Sequence, residues 1–244
     1  MKPFLLLSTR PEDDAALGEW EAIARLAGLR DDQLLQIRVE EAPMAPPRLD
    51  EFSGVFLGGG PYNASDTDKS PLQQRVEADL SRVIAEVVER DFPFLGLCYG
   101  VGAITAQLGG VVDRSVGEDV GVVTATLTAH GREDPLFDGV PHSFHAFTAH
   151  KEGCRVPAAG STVLATGAAC PIQAFRIGRR VYATQFHPEL DSAGLAARIR
   201  IYRDAGYFDP ADTEQLVAFA ESSTITSAVH GMLRNFVELA AQSR

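Results

Sequence analysis

The chain has 244 residues, 45% of them hydrophobic, enough apolar surface to bury the core of one α/β domain. A net charge of −11 with no basic cluster argues against a nucleic-acid-binding surface, and no apolar run reaches the length of a membrane span. Three cysteines, none in a Cys-x-x-Cys pair, fit a reducing cytoplasmic setting rather than a disulfide framework.

The first segment, Met1 to Ser8, is too short in its apolar part for a signal peptide and is followed by acids, so it reads as a buried strand. Asp13 or Asp14 then caps a helix running to Gly28, with Leu17, Trp20, Ile23, Ala24 and Ala27 as its apolar face. A proline-rich loop, Pro43 to Pro47, leads to the strand Gly54-Val55-Phe56-Leu57 and its continuation Gly58-Gly59-Gly60-Pro61. Ser70 before Pro71 marks the next helix start. Its stripe is Leu72, Val76, Leu80, Val83, Ile84, Val87 and Val88. That helix crosses over, in a right-handed βαβ unit, to the strand Phe94-Leu95-Gly96-Leu97. The triple glycine and Cys98 therefore both lie at carboxyl ends of strands, where ligands of such sheets collect.

Gly96-Leu97-Cys98-Tyr99-Gly100 is the thiol form of a nucleophile elbow. The glycines permit a sharp strand-to-helix turn that exposes the sulfur, and the helix that follows aims its positive end there, which suits an anionic nucleophile. Glycines packed beside a buried cysteine would give the same letters, so the elbow alone leaves both readings open. Downstream, Gly117 to Arg180 reads as antiparallel and partly irregular: Val120 to Thr128, Ser161 to Thr166, and Ile172 to Ile177 turning through Gly178-Arg179. Phe147-Thr148-Ala149-His150-Lys151-Glu152 lies among them as a loop. Cys154 and Cys170 are packing residues, and His142 with His145 is loop chemistry rather than a metal site; no metal-ligand spacing appears.

A second segment decides between the readings of the elbow. In Val181 to Glu189 the alternation places Val181, Ala183, Gln185 and His187 on one side, and Pro188 ends the strand with His187 held extended. Glu189 then lies on the same side and can fix one imidazole nitrogen, leaving the other as a base. Cys98 as nucleophile, His187 as base and Glu189 as orienter make a triad. Attack on an amide would create an oxyanion. Gly60, with Gly59 beside it, can offer its N–H together with that of Tyr99.

These three motifs, Gly58-Gly59-Gly60-Pro61, Gly96 to Gly100 and Gln185-Phe186-His187-Pro188-Glu189, occur in the order of the class I (triad) glutamine amidotransferases, which the chain resembles over roughly its first four fifths. Within that family it looks most like the glutaminase module of GMP synthase. The resemblance implies an open, mostly parallel twisted sheet flanked by helices, of flavodoxin-like type. It also implies hydrolysis of the glutamine side-chain amide through a cysteinyl thioester, without cofactor, and delivery of ammonia to a separate synthetase. In related enzymes the loop at Ala149 and His150 holds the α-groups of glutamine, mostly by backbone. The family often carries glutamine four residues after the nucleophile, where this chain has Gly102, so another γ-glutamyl compound is an alternative substrate.

After the triad, Asp191 caps a helix bearing Leu195, Ile199 and Tyr202, and Thr226 starts another with Val229, Leu233, Phe236, Val237 and Ala240. The expected organisation is an amidotransferase domain over 1–192 and a helical extension over 193–244 packed upon it. No nucleotide-binding glycine loop follows. Two other readings stand beside the glutaminase: a stand-alone γ-glutamyl hydrolase, and a non-catalytic regulatory protein of the same fold.

Overall fold

The computed structural model describes residues 2–242. In chain order its elements begin with β1 (Phe4–Ser8), α1 (Asp13–Ala27), β2 (Leu34–Arg38), β3 (Val55–Leu57), α2 (Pro71–Glu89), β4 (Phe94–Leu97) and α3 (Tyr99–Gln107). Next come β5 (Val111–Asp113), β6 (Glu118–Leu127), α4 (Ala129–Glu133), β7 (Ser143–His150), β8 (Gly153–Val156), β9 (Ser161–Thr166), β10 (Ala174–Ile177) and β11 (Val181–Thr184). The chain closes with α5 (Ser192–Ile201), α6 (Thr213–Ser222) and α7 (Gly231–Ala241).

Among the described residues the main sheet runs β2-β1-β3-β4-β11-β10-β9-β6-β7. β2, β1, β3, β4 and β11 pair in parallel, and β10, β9, β6 and β7 extend the sheet antiparallel. Continuous apolar runs explain the parallel half, since β1, β3, β4 and β11 are buried along their whole length. β3 and β4 are neighbours, with Leu57 opposite Gly96, and β4 is flanked on its other side by β11, with Leu97 opposite Thr184. Three carboxyl ends thus meet at one point of the sheet.

The helix signals act where they were read at α2 and α5. Ser70 accepts from the Gln73 N–H ahead of Pro71, and Asp191 accepts from the Gly194 N–H. At α1 the outcome differs. Glu12 is the N-cap and makes no side-chain cap bond, while Asp13 and Asp14 lie inside the first turn, where their charge suits the dipole. Its buried row is Ala15, Glu19, Ile23 and Ala27, spaced by four; Leu17, two positions off that row, points away and is 53% exposed. A carboxylate therefore occupies the middle of a buried helix face.

Two further expectations are corrected. Phe147 to His150 is not loop but the end of β7, paired with β6 through Phe147 opposite Val122 and His150 opposite Glu118. Thr226 does not open the last helix. Its Oγ1 accepts from the His145 N–H and its own N–H donates to the His145 carbonyl, so a short 3₁₀ turn over Ser227–His230 intervenes and α7 starts at Gly231. α7 belongs to the central core: the Phe236 ring sits edge-on to Phe56 at 4.9 Å and to Phe4 at 6.1 Å. α6 carried no signal in the sequence. It packs on α5, where Val217 and Ala220 join Leu195, Ala196 and Ile199.

Candidate active site

The site forms where β3, β4 and the chain beyond β11 end. Cys98 has φ 51° and ψ −86°, a conformation that L side chains rarely adopt and that costs about 1–3 kcal/mol. It is held there by the Cys98 N–H donating to the Thr184 carbonyl at 2.7 Å and by α3 starting at the very next residue. Gly96 is needed for packing: a Cβ there would lie 3.0 Å from the Gly100 Cα. Beyond Thr184 the strand ladder ends, because Gln185 donates its N–H to Gln173 and His187 donates its own to Phe147. These two bonds carry the extended chain on as far as the imidazole.

His187 and Glu189 lie together as their spacing implied. Nδ1 of His187 is 2.7 Å from Glu189 Oε1, with the imidazole 5% exposed and the carboxylate wholly buried. Burial works against both charges here, pushing the imidazole down and the carboxyl up. It is outweighed: the charges of Glu189 and Cys98, with a hydrogen bond from each, push His187 up to about 9. The charge and hydrogen bond of His187, with the charge of Arg198, hold the Glu189 carboxyl well below the usual carboxylate range. Cys98 and His187 line the same hollow beyond the ends of β4 and β11 and act on one another through charge.

The glycine loop faces this pair from β3. A Cβ on Gly59 would stand 2.6 Å from Arg10 Nη2 and in ordinary contact with His187 Cε1 at 3.4 Å, and one on Gly60 would stand 1.9 Å from Thr9 Oγ1, so a side chain at either position would displace a neighbour. The N–H of Gly59 is not directed at the sulfur. It donates to Glu19 Oε1 at 3.1 Å, the buried carboxylate of α1, and this corrects its expected place in the oxyanion pocket. Gly60 and Tyr99 are the residues left to offer backbone donors, Tyr99 from the unpaired first turn of α3.

Ala149 and His150 reach the site differently from one another. The Cys98 thiol points to the Ala149 carbonyl at 3.9 Å. The His150 ring is turned away, with Nδ1 on the Glu152 carbonyl at 2.7 Å and Nε2 on Glu118 Oε2 at 2.8 Å. Neither ring nitrogen is left for a ligand. The carboxylate of Glu152 stands instead beside Gly102, where a Cβ would meet its Oε1 at 2.9 Å, and it accepts from the Ala64 and Ser65 N–H groups and the Ser65 hydroxyl. Gly102 is small because an acid from another strand end crosses there.

Several residues to which sequence reasoning gave no role also reach the site. Gln185 donates from Nε2 toward Cys98 Sγ at 3.8 Å, and the alternation that put it on the side of His187 was the available clue. Arg198 of α5 reaches Glu189 Oε1 at 3.0 Å; Arg10 pairs with Glu19 at 2.8 Å. Tyr207, beyond α5, donates its hydroxyl to the Gly60 carbonyl at 3.3 Å, with the Lys151 ammonium 4.3 Å from its ring centre. Two hollows open on either side of the sulfur. One is lined by Tyr62, Asn63, Gly102, Glu152 and Gln185; the other holds His187 and is walled by Leu190, Leu195, Ile199 and Phe208.

Residues 29–199 match the family described as glutamine amidotransferase class-I. A protein of Methanoregula boonei, named as one subunit of the glutamine-hydrolysing GMP synthase, is 32% identical over 169 residues, covering 66% of this chain and 79% of that one. The GMP synthase of Thermosipho africanus is 26% identical over 148 residues, 60% of this chain, and the match spans only 26% of its length. A crystal structure of a glutamine amidotransferase from Thermotoga maritima superposes with a TM-score of 0.78 at 23% identity, covering both chains fully. A putative GMP synthase subunit from Thermoplasma acidophilum gives 0.69 at 18% identity, covering 99% of this chain and 96% of that one. These two likenesses are of fold.

Proposed function

The chain belongs to the class I glutamine amidotransferases, and from that premise we propose that Cys98, His187 and Glu189 hydrolyse the side-chain amide of L-glutamine and that the ammonia serves a separate synthetase. The observation that carries this reading is the meeting of a strained, helix-capping cysteine with a buried imidazole–carboxylate pair.

His187 takes the thiol proton and the Cys98 sulfur attacks the amide carbon. The carbonyl electrons move onto oxygen, stabilised by the N–H groups of Gly60 and Tyr99. The imidazolium then returns its proton to the departing nitrogen, which leaves as ammonia. Water, deprotonated by His187, opens the resulting thioester and releases glutamate. The proton donor must face the leaving group, so the hollow that holds His187 is the ammonia side. The glutamyl part lies in the other, among Gly102, Gln185 and the backbone of Ala149.

The partner is proposed from the relatives. The M. boonei protein, of which the match spans 79%, is named as one subunit of a synthase, and the match spans only 26% of the T. africanus GMP synthase. A glutaminase assay on the chain alone and with candidate synthetases tests both halves. Expected is slow ammonia release that rises when the synthetase and its acceptor are present. A γ-glutamyl hydrolase is the second reading, favoured by the apolar wall of Leu190, Leu195, Ile199 and Phe208 beside His187. Rapid, partner-independent turnover of an N-substituted γ-glutamyl amide would select it.

A further inference from the structure

Glu189 is held in an unusual way. Both of its donors converge on Oε1, His187 Nδ1 at 2.7 Å and Arg198 at 3.0 Å, while Oε2 is buried without a hydrogen-bond partner among the described residues. Arg198 lies 3.4 Å from His187 Nδ1 through the same nitrogen that bonds Glu189. Both nitrogens are donors when Nδ1–H serves the carboxylate, so that contact is a repulsion and not a bond. The other arm of the guanidinium turns to Glu19 Oε1 at 3.6 Å. Glu19 in turn accepts from the Gly59 N–H and from Arg10 Nε, and Arg10 donates on to the Tyr202 hydroxyl at 3.0 Å. One arginine on a helix after the triad thus spans the triad carboxylate and the carboxylate that anchors the glycine loop.

We propose that Arg198 is a positioning residue that acts through Glu189: it fixes the carboxylate against His187, limits how strongly that carboxylate stabilises the imidazolium, and joins the triad to the glycine loop through Glu19. The inference rests on the triad reading above. A carboxylate bonded through one oxygen by one donor can pivot about that bond; a second donor fixed on α5 prevents it. The position of the cation has a second effect. An opposite or like charge within about 4–6 Å moves a titration by about 1–3 pH units. Glu189 and Glu19 neutralise much of the Arg198 charge, so about 0.5–1 unit is expected from its removal. The other charged or titratable groups that face His187 are Cys98 from the β4–α3 elbow, Arg10 and Glu19 from the β1 and α1 side, and the Tyr202 and Tyr207 hydroxyls; Arg198→Met leaves all of them in place.

The test is the pH dependence of Cys98 alkylation by iodoacetamide, followed by peptide mapping, in the full chain. This readout needs no glutamine, so it separates failure of the positioning idea from failure of the glutaminase reading, which ammonia release by the wild type reports on its own. Alkylation steps once as the thiolate–imidazolium pair forms and again as the imidazolium loses its proton. Arg198→Met should move the upper step to higher pH by about 0.5–1 unit, and Arg198→Lys, which keeps the charge, should return it. The Met variant should also lose about tenfold in kcat with KM little changed, short of the roughly hundredfold that a 1 Å misplacement can cost. If the Met variant does not fold, Arg198→Gln keeps a donor without the charge and should show the same shift. An upper step at the wild-type pH in the folded uncharged variant overturns the proposal, whatever happens to kcat, because a merely structural arginine changes the amount of folded protein and not the titration of His187.

Discussion

Replacing Glu189 by glutamine isolates the electrostatic role of the orienter, because the amide keeps the shape and one acceptor oxygen. In the native site Glu189 is wholly buried and accepts from His187 at 2.7 Å, and its charge helps to push the imidazole up to about 9. A partnering charge at this range is worth about 1–3 pH units, or about 1.4–4 kcal/mol at 1.36 kcal/mol per unit. Without that anion the thiolate–imidazolium pair is disfavoured by this sum against the neutral thiol–imidazole form, and only the pair carries both the nucleophile and the proton for the leaving nitrogen. Glu189→Gln should therefore lower kcat/KM by about 10- to 10³-fold. The sign of the pH effect is fixed as well. The native imidazole stays protonated toward pH 9, so losing its anion must pull the alkaline limb downward, the direction opposite to that of Arg198→Met. Ammonia release measured from pH 5.5 to 10, normalised to alkylatable Cys98, reads both quantities. A variant with native turnover and an unmoved alkaline limb would refute the reasoning. His187→Ala should cost more than Glu189→Gln, since a positioned general base contributes on the order of 10²–10⁴-fold.

Cys98→Gly should abolish turnover yet raise thermal stability, because glycine relieves a φ of 51° that costs about 1–3 kcal/mol; a lower Tm would contradict the strain. Gly102→Gln, which installs the residue common in the family, should raise KM rather than lower it, as its Cβ would meet Glu152 Oε1 at 2.9 Å and displace the Ala64–Ser65 turn. Michaelis kinetics on the variant decide this. The raised His187 pKa, from 6.5 to about 9, contributes stability in full below pH 6.5 and loses it as pH climbs through 9. The Tm should fall over that window, and His187→Gln should flatten the fall.

Much of the site was legible because its chemistry is local in sequence. The elbow needs glycines within two residues of Cys98, and a strand stopped by Pro188 places His187 and Glu189 on one side by alternation alone. The parallel half of the sheet showed itself as unbroken apolar runs. What escaped are residues whose roles depend on partners far along the chain. Glu19 sits on a buried helix row, but its reason for being there is the Gly59 N–H 40 positions later. Arg198 is one of several arginines after the triad, and nothing in its neighbours says that it faces Glu189 and not solvent. His150 and Glu152 read as a charged loop because their acceptors and donors, Glu118 and the 64–65 turn, lie in other elements. The same distance effect explains Gly102, which looked like a missing substrate contact and is a place kept clear for Glu152. The packing of α7 against Phe4 and Phe56 was equally out of reach, since amphipathic spacing marks a buried face without naming what covers it.

The central claim is that Cys98 attacks a bound glutamine side chain. Its most direct test is to treat the chain with a diazoketone analogue of glutamine, with and without excess L-glutamine, and to map the modified peptide. Cys154 and Cys170 are buried and their thiols are pushed up by burial, Cys170 to about 12, so neither should react. The account predicts one adduct, on Cys98, whose formation L-glutamine slows. Modification of Cys154 or Cys170, or labelling of Cys98 that glutamine does not slow, would contradict it.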